Sequence, residues 1–296
     1  MTDRYAVIGH PIAHSQSPLI HGLFARETGQ DLVYEAIEGP LAPAQGFEDM
    51  VRAFFAAGGR GLNITAPFKL RARALADDCS PRARLAGAAN ALKREGDRIL
   101  ADNFDGIGLR RDIEVNLGLP LAGRRVLLLG AGGAARGALL PFLEAAPATL
   151  VLVNRDVAKA RALVAEVAEV AEVAQLSAGE GAPLPAAAVC ALQAVGYDEV
   201  AALGAFDLVI NATSASLSGA LPPLPSAVFR AGGSAYELAY GKGRTPFLQL
   251  ARAAGVQGGA DGVGMLVEQA AEAFAWWRGV RPSTTAVIDR LTVPLD

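Results

Sequence analysis

Residues 124–140 read RRVLLLGAGGAARGALL, an apolar run of strand length followed by a glycine turn and a stretch of helical character. Gly130, Gly132 and Ala135 stand in the G-x-G-x-x-A spacing. Between a strand and a helix, such small residues let the backbone turn tightly, approach a pyrophosphate and offer it free helix N–H groups. The segment predicts the opening βαβ unit of a Rossmann domain. Thr149 to Arg155, TLVLVNR, supplies the next strand, and Phe206 to Ser214, FDLVINATS, a later one. A site for NAD would be expected to end the second strand in an acidic residue that binds the ribose hydroxyls. Here the strand ends in Asn154 and Arg155, with Lys159 beyond, which favours the extra phosphate of NADP.

Working outward, Tyr5–Gly9, Leu32–Ile37 and Gly61–Thr65 are short β-rich runs separated by stretches of helical spacing, an alternating α/β pattern. Ala91 to Asn103 reads as a hairpin about Glu95-Gly96-Asp97. Gly106 to Asn116 is helical in spacing and leads into the Rossmann segment. A last clear helix runs from about Gly264 to Trp277, with Gly279 as its stop. The expected architecture is α/β: an N-terminal α/β substrate domain over 1–105, a Rossmann dinucleotide-binding domain over 106–261, and C-terminal helices in 262–296 returning to the substrate domain. An active cleft is expected between the two domains. Val164 to Val173, with AEV three times in succession, and the following SAGEGAPLPAAA predict an extended helix and a surface loop without chemistry.

The 296-residue length suits two domains, and 52% hydrophobic with 19% charged residues argues against disorder. A net charge of -3 gives no positive field for a nucleic acid. Cys79 and Cys190 are too few and too far apart for a disulfide framework, and no apolar run is long enough to span a bilayer. A cytoplasmic protein acting on a small molecule is expected, as a monomer or homodimer.

Several residues stand out for their chemistry. In GHPIAHSQSPLIH, Ser17 before Pro18 reads as an N-cap, so Ser15 and Ser17 would lie where free N–H groups welcome a carboxylate. His10, His14 and His21 crowd the same segment, but without cysteine or carboxylate ligands nearby no metal is expected. GLNITAPFK places Asn63 and Thr65 on one strand face and starts a helix at Pro67, with Lys69 in its first turn. A cation is mildly disfavoured at that helix end, which marks Lys69. Asp105 precedes Gly106 at the passage between domains. Gln269 lies on the side of its helix shared with Met265 and Ala273, whereas Glu268 and Glu272 are read as the wet side.

The series GHPIAHSQSPLIH, GLNITAPFK, GAANAL, DNFDGIG, GAGGAARG, NRD, NATSASLSG, YELAYGKGRTPFL and ADGVGMLVEQA resembles the shikimate dehydrogenase family over nearly the whole chain. The resemblance implies NADPH-dependent reduction of 3-dehydroshikimate to shikimate in aromatic amino acid (chorismate) biosynthesis. Alternatives are a quinate/shikimate dehydrogenase with looser cofactor choice and a noncatalytic NADP-binding sensor. The resemblance further implies that Lys69 and Asp105 are the catalytic pair. Ser15 and Ser17 would hold the substrate carboxylate, and Asn63, Thr65, Asn90, Tyr240 and Gln269 the ring hydroxyls or the carboxylate end. Gly130, Ala131, Gly132, Gly133, Ala134 and Ala135 would cradle the pyrophosphate, with Asn154, Arg155 and Lys159 around the adenosine phosphate. Thr213, Gly262 and Met265 would approach the nicotinamide. Four residues depart from the family's pattern: Ala91 and Phe104 stand where threonine is common, Ser216 where glycine is, and Asp156 where a small hydroxyl residue is. Asp156 reads either as the cap of the next helix or as a carboxylate opposed to the extra phosphate.

Overall fold

The apolar runs of the sequence become strands of two six-stranded sheets in this computed structural model, which describes residues 2–177, 190–241 and 243–295. In the first sheet β1 (Asp3–Gly9), β2 (Leu32–Glu38) and β3 (Gly59–Ile64) run parallel, while the hairpin β5 (Ala91–Glu95) and β6 (Arg98–Asp102) turns at Gly96. Gly96 has φ +61°, a conformation that glycine adopts without strain. With the two-residue β4 (Asp78–Cys79), the spatial order is β2-β1-β3-β5-β6-β4. The helices of this half are α1 (Ser17–Thr28), α2 (Gly46–Ala56), α3 (Lys69–Leu75) and α4 (Pro81–Ala86). Ile8, Leu62, Ile64, Phe47 and Phe68 meet in its core, all at most 2% exposed. Each such side chain stabilises the fold by about 1.5–3 kcal/mol through loss of apolar surface to water.

The helix α5 (Asp105–Arg111) continues as one π-helical turn, Asp112–Asn116, into the second sheet. There β7 (Arg125–Leu129), α6 (Gly133–Glu144), β8 (Thr149–Val153), α7 (Val157–Ser177), β9 (Ala191–Val195), β10 (Phe206–Asn211), β11 (Phe229–Glu237), α8 (Pro246–Ala253) and β12 (Gly258–Asp261) follow. Every strand pair is parallel, in the order β12-β11-β10-β7-β8-β9. That is the doubly wound Rossmann order, in which ligands bind beyond the carboxyl ends of the strands where the winding reverses. The AEV repeat lies in α7. The loop expected over SAGEGAPLPAAA lies outside the described residues.

The chain then forms α9 (Val263–Arg278) and α10 (Thr285–Leu291). By contacts it divides into one unit of Met1–Gly108 with Leu266–Arg290 and a second of Leu109–Met265 with Leu291–Asp296. The C-terminal return is thus shorter than 262–296. Val263 N–H is held by Asp261 at 3.2 Å and Leu295 packs on the second unit's core, so both ends of the segment stay with the Rossmann sheet.

Two helix starts differ from the sequence expectation. Ser17 is the first residue of α1, not its cap; Gln16 holds the cap position, and Ser15 Oγ accepts the Ser17 N–H at 3.3 Å. Helix α3 begins at Lys69 rather than Pro67, because residues 65–68 close a turn in which Phe68 N–H donates to the Thr65 carbonyl.

Candidate active site

In the first unit Lys69 opens α3 and Asp105 opens α5, and their side chains form an ion pair with Nζ 2.7 Å from Oδ2. Lys69 is 32% exposed and Asp105 11%, so the pair is only partly screened by water. Asp105 is fixed from two sides: Asn90 Nδ2 donates to Oδ1 at 2.8 Å, and its own N–H donates to Asn103 Oδ1. Asn90 organises the group. Its amide nitrogen also donates to Gln269 Oε1 at 3.1 Å, its Oδ1 accepts Phe104 N–H, and its carbonyl accepts Asn63 Nδ2 at 3.2 Å. Gln269 Nε2 donates to the Leu266 carbonyl, which satisfies the lone amide on that helix face. Lys69, Asp105, Asn90, Asn63 and Gln269 therefore form one hydrogen-bonded constellation. With both Asn90 N–H groups committed to Asp105 and Gln269, that side chain retains only acceptor capacity for a ligand.

Tyr34 joins this group although nothing in the sequence marks it. Tyr34 O–H donates to Asn63 Oδ1 at 2.7 Å, and burial pushes the phenol well above its ordinary range against an opposing hydrogen bond with Ser17. Tyr34 thereby links Ser17, and Ser15 beside it, to Asn63. His21 is 1% exposed and stacks on the Tyr34 ring at 4.1 Å and 4°. Neither of its nitrogens has a well-aligned partner, and burial drives its pKa down to about 3, the nearby Asn63 side chain opposing weakly. His21 is a neutral ring in an aromatic cluster with Phe24, Phe274 and Trp277. No spacing rule could have separated it from a ligand histidine. Thr65 follows β3 directly, its N–H donating to the Ile8 carbonyl.

Glu268 is not on a wet side. It is fully buried, with Oε1 accepting from Thr284 Oγ1 at 2.6 Å and Oε2 paired with Arg281, which also bonds Glu272 at 3.0 Å. The segment before α10 folds over that face, and a helix pattern cannot reveal a later segment. Ala91 and Phe104, which stand where the resemblance implies threonine, share one apolar cluster with Ala273, where Phe104 meets Trp276 edge-on at 5.7 Å.

In the second unit the glycine turn fits a dinucleotide. Gly130 has φ +106°, and an added Cβ there would press on the Ala212 carbonyl at 3.2 Å. At Gly132 and Gly133, where α6 begins without a side-chain cap, an added Cβ would meet nothing within 4 Å. Open space thus lies before uncapped N–H groups, as a pyrophosphate requires; Ala131, Ala134 and Ala135 keep the turn small. Asn154 Nδ2 donates to the Asp156 carbonyl at 2.9 Å, and Arg155 and Lys159 are exposed. Asp156 caps α7, its Oδ1 accepting Lys159 N–H at 3.0 Å. Thr213 donates both N–H and O–H to Asn211 Oδ1, at 3.1 and 2.7 Å. Gly262 packs against the Leu238 backbone where no Cβ could fit, and Met265 lies in the first turn of α9. Tyr240 also belongs to this unit and is 45% exposed.

Comparison with known proteins agrees at both ends of the chain. Residues 7–92 match the shikimate dehydrogenase substrate binding domain, and residues 262–292 the shikimate 5'-dehydrogenase C-terminal domain. A shikimate dehydrogenase (NADP(+)) of Aromatoleum aromaticum is 54% identical over 99% of this chain and 98% of its own length. Among solved structures, an Ael1 enzyme from Pseudomonas putida is 59% identical, with a TM-score of 0.88 and full coverage of both chains. The Thermus thermophilus shikimate 5-dehydrogenase in complex with NADP(H) and shikimate is 30% identical at a TM-score of 0.80, covering 97% of this chain and 98% of that one. With its ion pair, its glycine turn and full-length identity above one half to a named relative, this chain belongs to the shikimate dehydrogenase family.

Proposed function

We propose that this protein catalyses the reversible NADPH-dependent reduction of 3-dehydroshikimate to shikimate, with Lys69 and Asp105 as the catalytic pair. The observation that carries the reading is the Lys69–Asp105 ion pair held inside the Asn90–Gln269–Asn63 network. NADPH, when bound, supplies the hydride that the ketone carbon accepts. Lys69, as an ammonium, gives a proton to the oxygen on which charge develops and stabilises that charge. Asp105 holds Lys69 in place and keeps a carboxylate beside it, with Asn90 fixing the carboxylate in turn. Ser15 and Ser17 take the substrate carboxylate, and Asn63, Thr65, Asn90, Gln269 and Tyr240 its ring hydroxyls or carboxylate end. Gly130–Ala135 take the pyrophosphate, and Asn154, Arg155 and Lys159 the adenosine phosphate, with Thr213, Gly262 and Met265 toward the nicotinamide. A cytoplasmic place of action and a monomer or homodimer belong to the same reading. Among the described residues, no helix is long and apolar enough to cross a membrane.

An assay crossing shikimate and quinate with NADP and NAD tests it. Turnover of shikimate with NADP should exceed the other three combinations. Comparable turnover of quinate with NAD would point to the broader quinate/shikimate activity, and no turnover at all to a binding protein.

Cofactor preference can be probed at one position. Because Asp156 is exposed and committed to capping, Asp156→Ser should leave kcat/KM for NADP within about threefold and preserve the preference over NAD, a screened rim charge being worth less than about 1 kcal/mol. A rise of more than about tenfold for NADP alone would mean that the carboxylate faces the phosphate.

A further inference from the structure

We propose that Glu237 is a positioning residue for the nicotinamide end of the cofactor site, acting through Asn211 on Thr213. The inference rests on the reading that the Gly130 turn and Thr213 receive NADP. Glu237 ends β11 and is fully buried, a costly place for a carboxylate unless donors surround it. They do: Oε2 accepts from Asn211 Nδ2 at 3.0 Å, from Thr245 Oγ1 at 3.0 Å and from Ser216 Oγ, and Oε1 accepts Ala239 N–H at 3.3 Å.

The consequence lies at Asn211, itself fully buried at the end of β10. An amide can sit either way round, but an ionised carboxylate only accepts, so Glu237 selects the orientation with Nδ2 toward itself. Asn211 Oδ1 then faces Thr213, where it takes both the backbone N–H and the hydroxyl proton. Ala215 N–H donates to the same hydroxyl at 3.3 Å. Thr213 is thereby locked with its proton pointing inward, and what it offers outward is a lone pair and a methyl group. The methyl borders the glycine turn, lying 3.3 Å from where a Cβ on Gly130 would be. A carboxamide carries an N–H able to meet that lone pair. Ser216, the departure from glycine, adds one more donor to the carboxylate, so this chain holds it more firmly than a glycine there would.

Binding measurements separate this role from mere folding. Glu237→Gln cannot accept from all its donors without setting an N–H against either Ala239 N–H or the Asn211 side. Its NADPH Kd, read from NADPH fluorescence, should rise about tenfold or more, while the Kd of adenosine 2',5'-bisphosphate, which lacks the nicotinamide, should stay within about twofold. Thr213→Ala should reproduce most of that loss, and Glu237→Gln added to it should cost little more, the non-additivity expected of residues acting in series. Ser216→Ala, which removes a single donor, should weaken NADPH by about threefold and leave the bisphosphate unaffected, and it serves as the test if the glutamine variant does not fold. Unchanged NADPH binding in these variants, equal losses for both ligands, or additive effects of the two substitutions would overturn the proposal. A parent protein that binds neither ligand would instead overturn the cofactor reading itself, and the proposal with it.

Discussion

Lys69→Ala is expected to lower kcat for reduction of 3-dehydroshikimate by about a hundredfold or more, with little change in the substrate KM. Nζ sits 2.7 Å from Asp105, whose carboxylate is anchored by Asn90, so the ammonium proposed as proton donor is positioned by a network rather than by a flexible stem alone. Truncation removes the donor and leaves Asp105 without its counter-ion. The residues proposed to hold the substrate, Ser15, Ser17, Asn63 and Gln269, are not altered, which is why the loss should fall on kcat. Lys69→Arg restores the charge but should not restore oxidation of shikimate, because a guanidinium does not give up its proton near neutral pH. Steady-state rates in both directions, with adenosine 2',5'-bisphosphate binding as the check on folding, decide the matter. Near-normal kcat in Lys69→Ala would remove Lys69 from the chemistry.

The second large effect concerns stability and pH. His21 is buried with a pKa of about 3 against an ordinary value near 6.5, so the unfolded chain binds a proton that the folded one refuses. The folded pKa is depressed; the associated stability is whole above about pH 6.5 and is lost as pH falls toward 3. At pH 4 the loss attributable to His21 is roughly 3 kcal/mol. His21→Phe keeps the ring stacked on Tyr34 but cannot be protonated. Denaturant unfolding of parent and variant at pH 7 and pH 4 should show a difference between them that grows on acidification, the parent losing more. An equal decline in both proteins would mean that His21 is not the responsible group.

The sequence made different parts of this structure legible to different degrees. The start of the Rossmann half was readable because β7 and β8 are nearly unbroken apolar runs and the glycine turn sits between a strand and a helix, where few alternatives satisfy the same pattern, whereas β9, β11 and β12 are broken by polar residues or glycine. The candidate site residues came largely from resemblance. Lys69 and Asp105 are 36 residues apart, and nothing in their spacing says that their side chains meet. Tyr34 was invisible because its hydroxyl reaches Asn63 across the sheet, through β1, from a strand that reads as ordinary. Glu268 misled because amphipathic reasoning treats a carboxylate as solvated, whereas Arg281 and Thr284 arrive from beyond the helix to bury it. Ser17 misled in a milder way: a serine before proline matches a cap, yet the helix started one residue earlier.

The return of α9 has a consequence for how the molecule is made. The first unit's sheet is complete by Asp102, but Phe274, Gln269 and Arg278, which pack on or bond to its residues, are encoded near the end of the chain. Residues 1–108 therefore do not contain the whole of their own core. The second unit is nearly continuous in sequence, with only Leu291–Asp296 joining it from beyond the returning segment, whereas the unit synthesised first must wait for α9. Residues 1–108 therefore carry an unfinished apolar face while Leu109–Met265 are being made.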